Sequence, residues 1–304
     1  MNIKDGIYGL AVGDAYGVPF EFLSRDKIDI SDEMVGFGTH MQPAGTWSDD
    51  TSLTLCVLDN LCVPIDYEKI MNAFVKWYRD GEYTVDGKYF DVGRGTRQAI
   101  GKYLCGYSPT KCGSRSIWNN GNGSLMRSLP LAYYFFYNNA DVDRAVVKKM
   151  SSLTHGNSIA IMACNVYIEF GYRILNGEHK TEAYKNTIKE NIRYWHQKDV
   201  YEIDDLKDIL SIKYDDLSGS GYVVTTLQSA LWTILHTESY KECIYKAVKI
   251  GGDTDTIAAI AGGIAGIIYG RKSIPAKWIY ELRNKKLIDK ICDKICLARS
   301  TSIL

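Results

Sequence analysis

Apolar residues recur at helical steps along almost the whole chain. Ile3, Ile7, Leu10 and Ala11 mark one face of a first helix. Asp66 stands where a helix cap belongs, ahead of Ile70, Phe74, Trp77 and Tyr78. The spacing predicts helices over 124–137, 141–152 and 157–176, then over 181–196, 220–236, 239–249 and 256–269. Leu287, Ile288, Ile291, Cys292, Ile295 and Cys296 step by three or four and predict an amphipathic closing helix. No alternating apolar and polar runs flank an Asn-Gly hairpin turn. No tandem repeat or low-complexity linker breaks the pattern, and the polar stretch 177–218 reads as an insertion. The expectation is an all-α fold, compact and built as a single domain over residues 1–304.

Composition narrows the function. Hydrophobic residues make up 46% of the chain and charged residues 24%, which excludes a disordered, collagen-like or disulfide-scaffold protein. Lysine plus arginine number 36, as do aspartate plus glutamate, so general nucleic-acid binding through phosphates is not expected. The eight cysteines form no CxxC pair and no zinc-like spacing with histidine. They read as small buried hydrophobes in a reducing compartment. The start of the chain lacks a signal-peptide core, and the apolar run from Ile257 to Tyr269 is too short to span a bilayer. A cytoplasmic protein is expected.

Two segments carry unusual chemistry. Gly45-Thr46-Trp47-Ser48-Asp49-Asp50-Thr51 precedes one apolar run, and Gly251-Gly252-Asp253-Thr254-Asp255-Thr256 precedes another. Each puts two carboxylates and several hydroxyls where a helix opens. Helix capping accounts for such residues, since they satisfy free N–H groups and suit the helix dipole. The second helix, however, is small and apolar enough to be buried, and buried carboxylates are costly unless paired or bound to metal. Four carboxylates with hydroxyls and no His or Cys suit Mg2+ or Mn2+ rather than zinc. A carboxylate pair from each segment can hold two ions at the roughly 3.5–4 Å spacing of binuclear sites.

At these residues the chain resembles the ADP-ribosylglycohydrolase family, which includes dinitrogenase reductase-activating glycohydrolases. Further blocks follow in family order: Gly9 to Glu21, Phe90 to Arg97, Asn120 to Arg127, Thr154 to Asn157, and Gly221 to Val224 with Ala230-Leu231-Trp232. The resemblance implies an all-α fold with two Mg2+ or Mn2+ ions in a central cleft. It implies Ser48, Asp49, Asp50, Asp253, Asp255 and Thr256 as ligands, Ser48 standing where the family commonly has threonine. Arg94 and Gly95 depart from the usual polar pair, which bears on substrate preference. It implies cleavage of the glycosidic bond between ADP-ribose and a protein or small acceptor, through an oxocarbenium-like transition state.

Glu21 occupies the family position for proton transfer, with Asp91 as the alternative acid–base group and Asp14 as a supporting partner or cap. From local sequence alone Glu21 reads as a surface glutamate. The loop Asn120–Ser124 reads as a helix opening that faces the pyrophosphate, with Asn122, Gly123 and Ser124 toward substrate, or as an ordinary turn. His155 contacts ribose or phosphate, or is structural. Tyr222 stacks on adenine, or is one of 22 ordinary tyrosines. Arg127 pairs with a buried acid or meets substrate.

Acceptor choice is expected from the loops near 22–44, 81–95 and 105–121, and the chain is expected to act as a monomer. A non-catalytic ADP-ribose binder and a different two-metal enzyme compete with this reading. The six intact ligands and Glu21 disfavour the first, and Asp49-Asp50-Thr51-Ser52-Leu53 lacks the spacing of a prenyl-transfer site. The 27 glycines also find a place. Gly6, Gly9, Gly13 and Gly17 stripe the first helix, and Gly262, Gly263, Gly266 and Gly270 stripe the helix behind the second acidic segment. Because glycine costs a helix up to about 1 kcal/mol against alanine, the stripes predict close packing that brings the acidic turns together.

Overall fold

Asn2 accepts the Lys4 N–H while Asp5 accepts the Asn2 N–H, and this capping box starts α1 (Ile3–Gly17). The computed structural model describes residues 2–301. Helices α2 (Asp49–Asn60), α3 (Tyr67–Asp80), α4 (Arg94–Leu104), α5 (Leu129–Tyr137) and α6 (Arg144–Ser151) follow. Then come α7 (Ser158–Leu175), α8 (Lys180–His196), α9 (Val223–Leu235), α10 (Tyr240–Lys249), α11 (Thr254–Tyr269), α12 (Ala276–Glu281) and α13 (Lys285–Thr301). Among the described residues β structure is limited to three isolated bridges. The fold is all-α, as expected.

The first helix is not amphipathic in the way its periodicity suggests. From Gly6 to Gly17 every residue is buried, because α2, α10, α11 and α13 all pack around it. Its main partner is α11, which is buried from Thr254 to Ile267. A methyl on Gly9 would strike the Gly262 carbonyl, one on Gly13 the Ala258 carbonyl, and one on Gly17 the backbone of Asp255. Positions rise along α1 as they fall along α11, so the two helices run antiparallel. Thr254 donates to the Gly17 carbonyl at 2.8 Å, and Tyr240 donates to the Gly9 carbonyl at 2.6 Å. The glycine expectation needs trimming on the α11 side. Gly262 and Gly266 face α1, whereas Gly263 faces Leu129 and Tyr167, and Gly270 ends the helix at φ 77° with nothing against it.

Several boundaries differ from the sequence reading. The helix expected from residue 124 starts at Leu129, where Pro130 fits the first turn, and Asn122–Ser124 form a single 3₁₀ turn. The helix expected from 141 starts at Arg144, capped by Asp143. Helices α4 and α12 were not expected; α4 buries only Thr96, Ala99 and Ile100, a stripe too thin to stand out. The 177–218 stretch, read as an insertion, packs into the body of the protein: after α8, its 3₁₀ turns put Ile203, Leu206 and Ile209 in the core at 0% exposure. The core is one continuous cluster running in sequence from Ile3 to Cys292. Cys56, Cys112, Cys164, Cys243 and Cys292 are buried in agreement with expectation, but Cys62 and Cys105 are exposed. Among the described residues no helix is long and apolar enough to cross a membrane.

Candidate active site

The antiparallel pairing sets the site. The end of α1 lies beside the start of α11, and the chain leaves α1 through a 3₁₀ turn opened by Pro19 to reach Glu21. The Phe22 N–H donates to the Gly252 carbonyl at 2.7 Å, and the Gly252 N–H returns to the Leu23 carbonyl at 2.8 Å. These two bonds clasp the glutamate loop to the second acidic segment. Above them opens a cleft of about 680 Å³, with Glu21, Asp49, Asp91, Asp253 and Thr256 among its lining.

Beneath the cleft lies Asp14, wholly buried. It accepts the Ser48 N–H at 2.9 Å, the Thr51 N–H at 3.0 Å and the Thr51 hydroxyl at 2.5 Å. It thereby ties the first acidic segment to α1. Burial pushes its carboxyl up to about 6, although those hydrogen bonds pull the other way. Oxygens of Asp14, Asp50 and Asp255 lie within 4.8 Å of one another, and so do oxygens of Glu21, Asp253 and Asp255. Asp255 belongs to both trios. The hydroxyls of Ser48 and Thr256 each donate to Asp50 Oδ2 at 3.2 Å. Asp49 lines the cleft but belongs to neither trio.

Capping explains only part of this arrangement. Ser48 caps α2 through the Asp50 N–H, whereas Asp253 stands at the cap of α11 and makes no capping bond. Asp50 Oδ1 and Asp253 Oδ1 are buried without a hydrogen-bond partner. Burial holds Asp49, Asp50 and Asp255 well above the usual carboxylate range, and the neighbouring acids push them further. The charges acting on Asp50 are those of Asp14, Asp49 and Asp253. Orphaned buried oxygens in a set of hard oxygen donors fit divalent metal ions.

Glu21 is not the surface residue that local sequence suggests. It is 4% exposed and paired through Oε2 with His40 Nε2. Burial pushes Glu21 up to about 7 against the lowering effect of that bond, while the pair raises His40. The His40 ring is near Phe22 and Phe90, at centroid distances of 6.0 and 5.2 Å. Sequence reasoning missed His40, since nothing around it has a motif's spacing.

The opposite wall comes from the 117–123 loop and Tyr222. Asn122 donates its amide to Asp253 Oδ2 at 2.7 Å and to Thr226 Oγ1 at 3.0 Å. A bridge joins Gly121 to Tyr222, and Gly123 and the half-exposed Tyr222 both line the cleft. Ser124 departs from expectation: it is buried below the wall, accepting from Ser151 and Cys164. Arg127 departs too, for it is 1% exposed and donates to the carbonyls of Gly123 and Met150, not to an acid. His155 reaches the cleft, with Thr154 Oγ1 at 2.8 Å from Nδ1. Burial, with help from Arg127, pushes it down to about 3, so the ring is neutral. A methyl on Gly95 would stand 2.8 Å from His155 Nε2, which gives the departure at Gly95 a local reason. Asp91 lines the cleft and accepts the Val92 N–H at 2.8 Å. The rim also carries Phe22, Ile117 and Trp118, the last 86% exposed and not anticipated.

Known proteins share this arrangement of sequence and fold. An ADP-ribosylarginine hydrolase, Tri1 of Pseudomonas putida (strain GB-1), is 33% identical over 298 residues, covering 96% of this chain and 77% of its own. The ADP-ribosyl-[dinitrogen reductase] glycohydrolase of Rhodospirillum rubrum is 29% identical over 283 residues, 91% of this chain and 88% of its own. A solved structure described as an ADP-ribosylglycohydrolase-related protein complex superposes with a TM-score of 0.78 at 28% identity, covering 95% of each chain. The ADP-ribosylglycohydrolase profile matches residues 2–303, and the chain belongs to that family.

Proposed function

We propose that the chain hydrolyses the glycosidic bond between ADP-ribose and an acceptor side chain on a modified protein, with arginine as the first acceptor to test. The observation that carries this reading is the group of buried carboxylates at the floor of a cleft beside Glu21, in which Asp50 Oδ1 and Asp253 Oδ1 have no hydrogen-bond partner. The relative that acts on ADP-ribosylarginine supports the acceptor. The acceptor side chain would enter past Glu21 and Asp91, with Arg94 also on the lining of the cleft. Ser48, Asp49, Asp50, Asp253, Asp255 and Thr256 would hold two Mg2+ or Mn2+ ions. Bound there, such ions neutralise the acidic floor and supply Lewis acidity toward ribose hydroxyls and water.

The remaining roles fall to the chain's own groups. A carboxyl titrating at about 7 is well placed to give a proton to a leaving nitrogen or take one from an attacking water, and Glu21 has that property. Asp91 adds a second carboxylate facing the developing oxocarbenium charge. Asn122 keeps Asp253 oriented. His155 offers Nε2 to ribose or phosphate without bringing charge. Tyr222 and Gly123 shape the wall against which the nucleotide rests. The cysteines, five of them buried, suit a reducing, cytoplasmic setting, and one chain of a single domain completes the cleft, so the working form is a monomer.

The test is a panel of arginine-, serine- and nucleic-acid-linked ADP-ribose substrates, with Mg2+ or Mn2+ added or chelated. Release of free ADP-ribose from the arginine linkage, lost on chelation, is expected. Metal binding without turnover on any linkage would make the protein a binder instead.

A further inference from the structure

We infer that His40 is the positioning residue for Glu21, holding one carboxylate oxygen so that the other faces the bond to be cleaved. The inference rests on the hydrolase reading above. Both partners are sequestered, His40 with 14% and Glu21 with 6% of the side chain exposed. Glu21 Oε2 has no other hydrogen-bond partner among the described residues. The imidazole packs against Phe90 and Phe22, with ring centroids 5.2 and 6.0 Å away.

The loop carrying His40 is itself held in a costly shape. Phe37, Gly38 and Met41 take φ values of 70°, 55° and 53°, and for the two non-glycine residues such backbone costs about 1–3 kcal/mol each. Gly38 lies so close to Pro19 that any side chain there would strike the Pro19 carbonyl. Thr39, next to His40, donates its hydroxyl to the Glu21 carbonyl at 2.5 Å. Gln42 donates to the His40 carbonyl at 3.1 Å, and Phe37 and Gln42 close the loop by a bridge. One loop thus grips Glu21 twice, by backbone through Thr39 and by carboxylate through His40. A strained loop with two bonds to one residue is built to fix that residue's direction.

The experiment is a double-mutant cycle on the full chain with ADP-ribosylated arginine as substrate. His40→Ala is expected to lower kcat by about 10- to 100-fold, the scale of a misplaced reacting group, with KM changed less than about twofold. His40→Phe fills the aromatic slot without the N–H, so it should lose as much kcat while melting near the wild-type temperature. His40→Gln restores a donor and should recover most of the loss. In a Glu21→Gln background, adding His40→Ala should cost less than about twofold more, because His40 acts through Glu21. Calorimetric Mn2+ affinity should not change in the His40 variants. Additive losses, or wild-type kcat in His40→Phe, would overturn the inference while leaving the hydrolase reading intact. A wild-type chain inactive on every linkage would overturn both.

Discussion

Asp14 accepts from three donors where α2 begins, the Ser48 N–H, the Thr51 N–H and the Thr51 hydroxyl, whereas Asp50 and Asp253 each keep a bare oxygen. That division separates groups that organise the floor from groups free to bind. Asp255, shared by both trios, is the sharpest position to test. Asp255→Ala should abolish Mn2+ binding by calorimetry and ADP-ribose release with it. Asn122→Ala should weaken Mn2+ by about 10- to 100-fold, the usual effect of losing the residue that orients a ligand. Survival of tight binding in Asp255→Ala would refute the ligand assignment. The acidic residues were legible in the sequence because their hydroxyl-rich turns precede apolar helices. His40 was not, because its role comes from a loop that folds back over Glu21. Ser124 misled, because a Gly-rich loop looks alike from either side of its wall.

At the scale of elements, the close pairing of α1 with α11 decides whether the two acidic turns meet. Gly13→Ala would press a methyl into the Ala258 carbonyl and should destabilise by about 1–3 kcal/mol, the usual cost of overpacking. Gly101→Ala in α4 has open space and ordinary backbone, so it should stabilise by up to about 1 kcal/mol. Urea melts of the two variants check the contrast, and equal effects would count against the packing argument. The glycine spacing on α1 was readable because helix geometry turns a three-to-four step into a face. The α11 stripe was over-read, since Gly263 and Gly270 fall in the same run for unrelated reasons. Helix starts slipped by a few residues wherever a capping Asp or a first-turn Pro outweighed periodicity, as at Arg144 and Leu129.

At the scale of the whole molecule, the buried acids make stability depend on pH. Asp14 and Glu21 rise from their usual 3.8 and 4.5 to about 6 and about 7, while Asp49, Asp50 and Asp255 rise well above theirs. A carboxyl with a raised folded value stabilises fully below its unfolded value and loses that contribution as pH climbs through the folded one. His40, raised by Glu21, loses its contribution in the same direction above 6.5. His155, pushed down from 6.5 to about 3, runs the opposite way, but only below 6.5. The metal-free chain should therefore melt progressively lower from about pH 6.5 to about pH 8. Mn2+ should remove that fall, since ions replace the lost protons. A flat metal-free profile by calorimetry would contradict the burial of these acids. The all-α architecture was legible from periodicity, whereas the cleft was expected only through the family resemblance, because it is assembled from turns far apart in sequence.

The bond from Thr254 to Gly17 spans 237 residues of chain. Until Thr254–Tyr269 has been made, α1 has no α11 to shelter its glycine face, and Asp14 and Asp50 have no Asp255 beside them. Closing so long a loop carries an entropic cost that only later contacts repay. If the acids hold divalent ions as proposed, that affinity cannot build up step by step during synthesis. Under that reading a product that stops before the cap of α11 lacks Asp253 and Asp255, and with them members of both acidic trios.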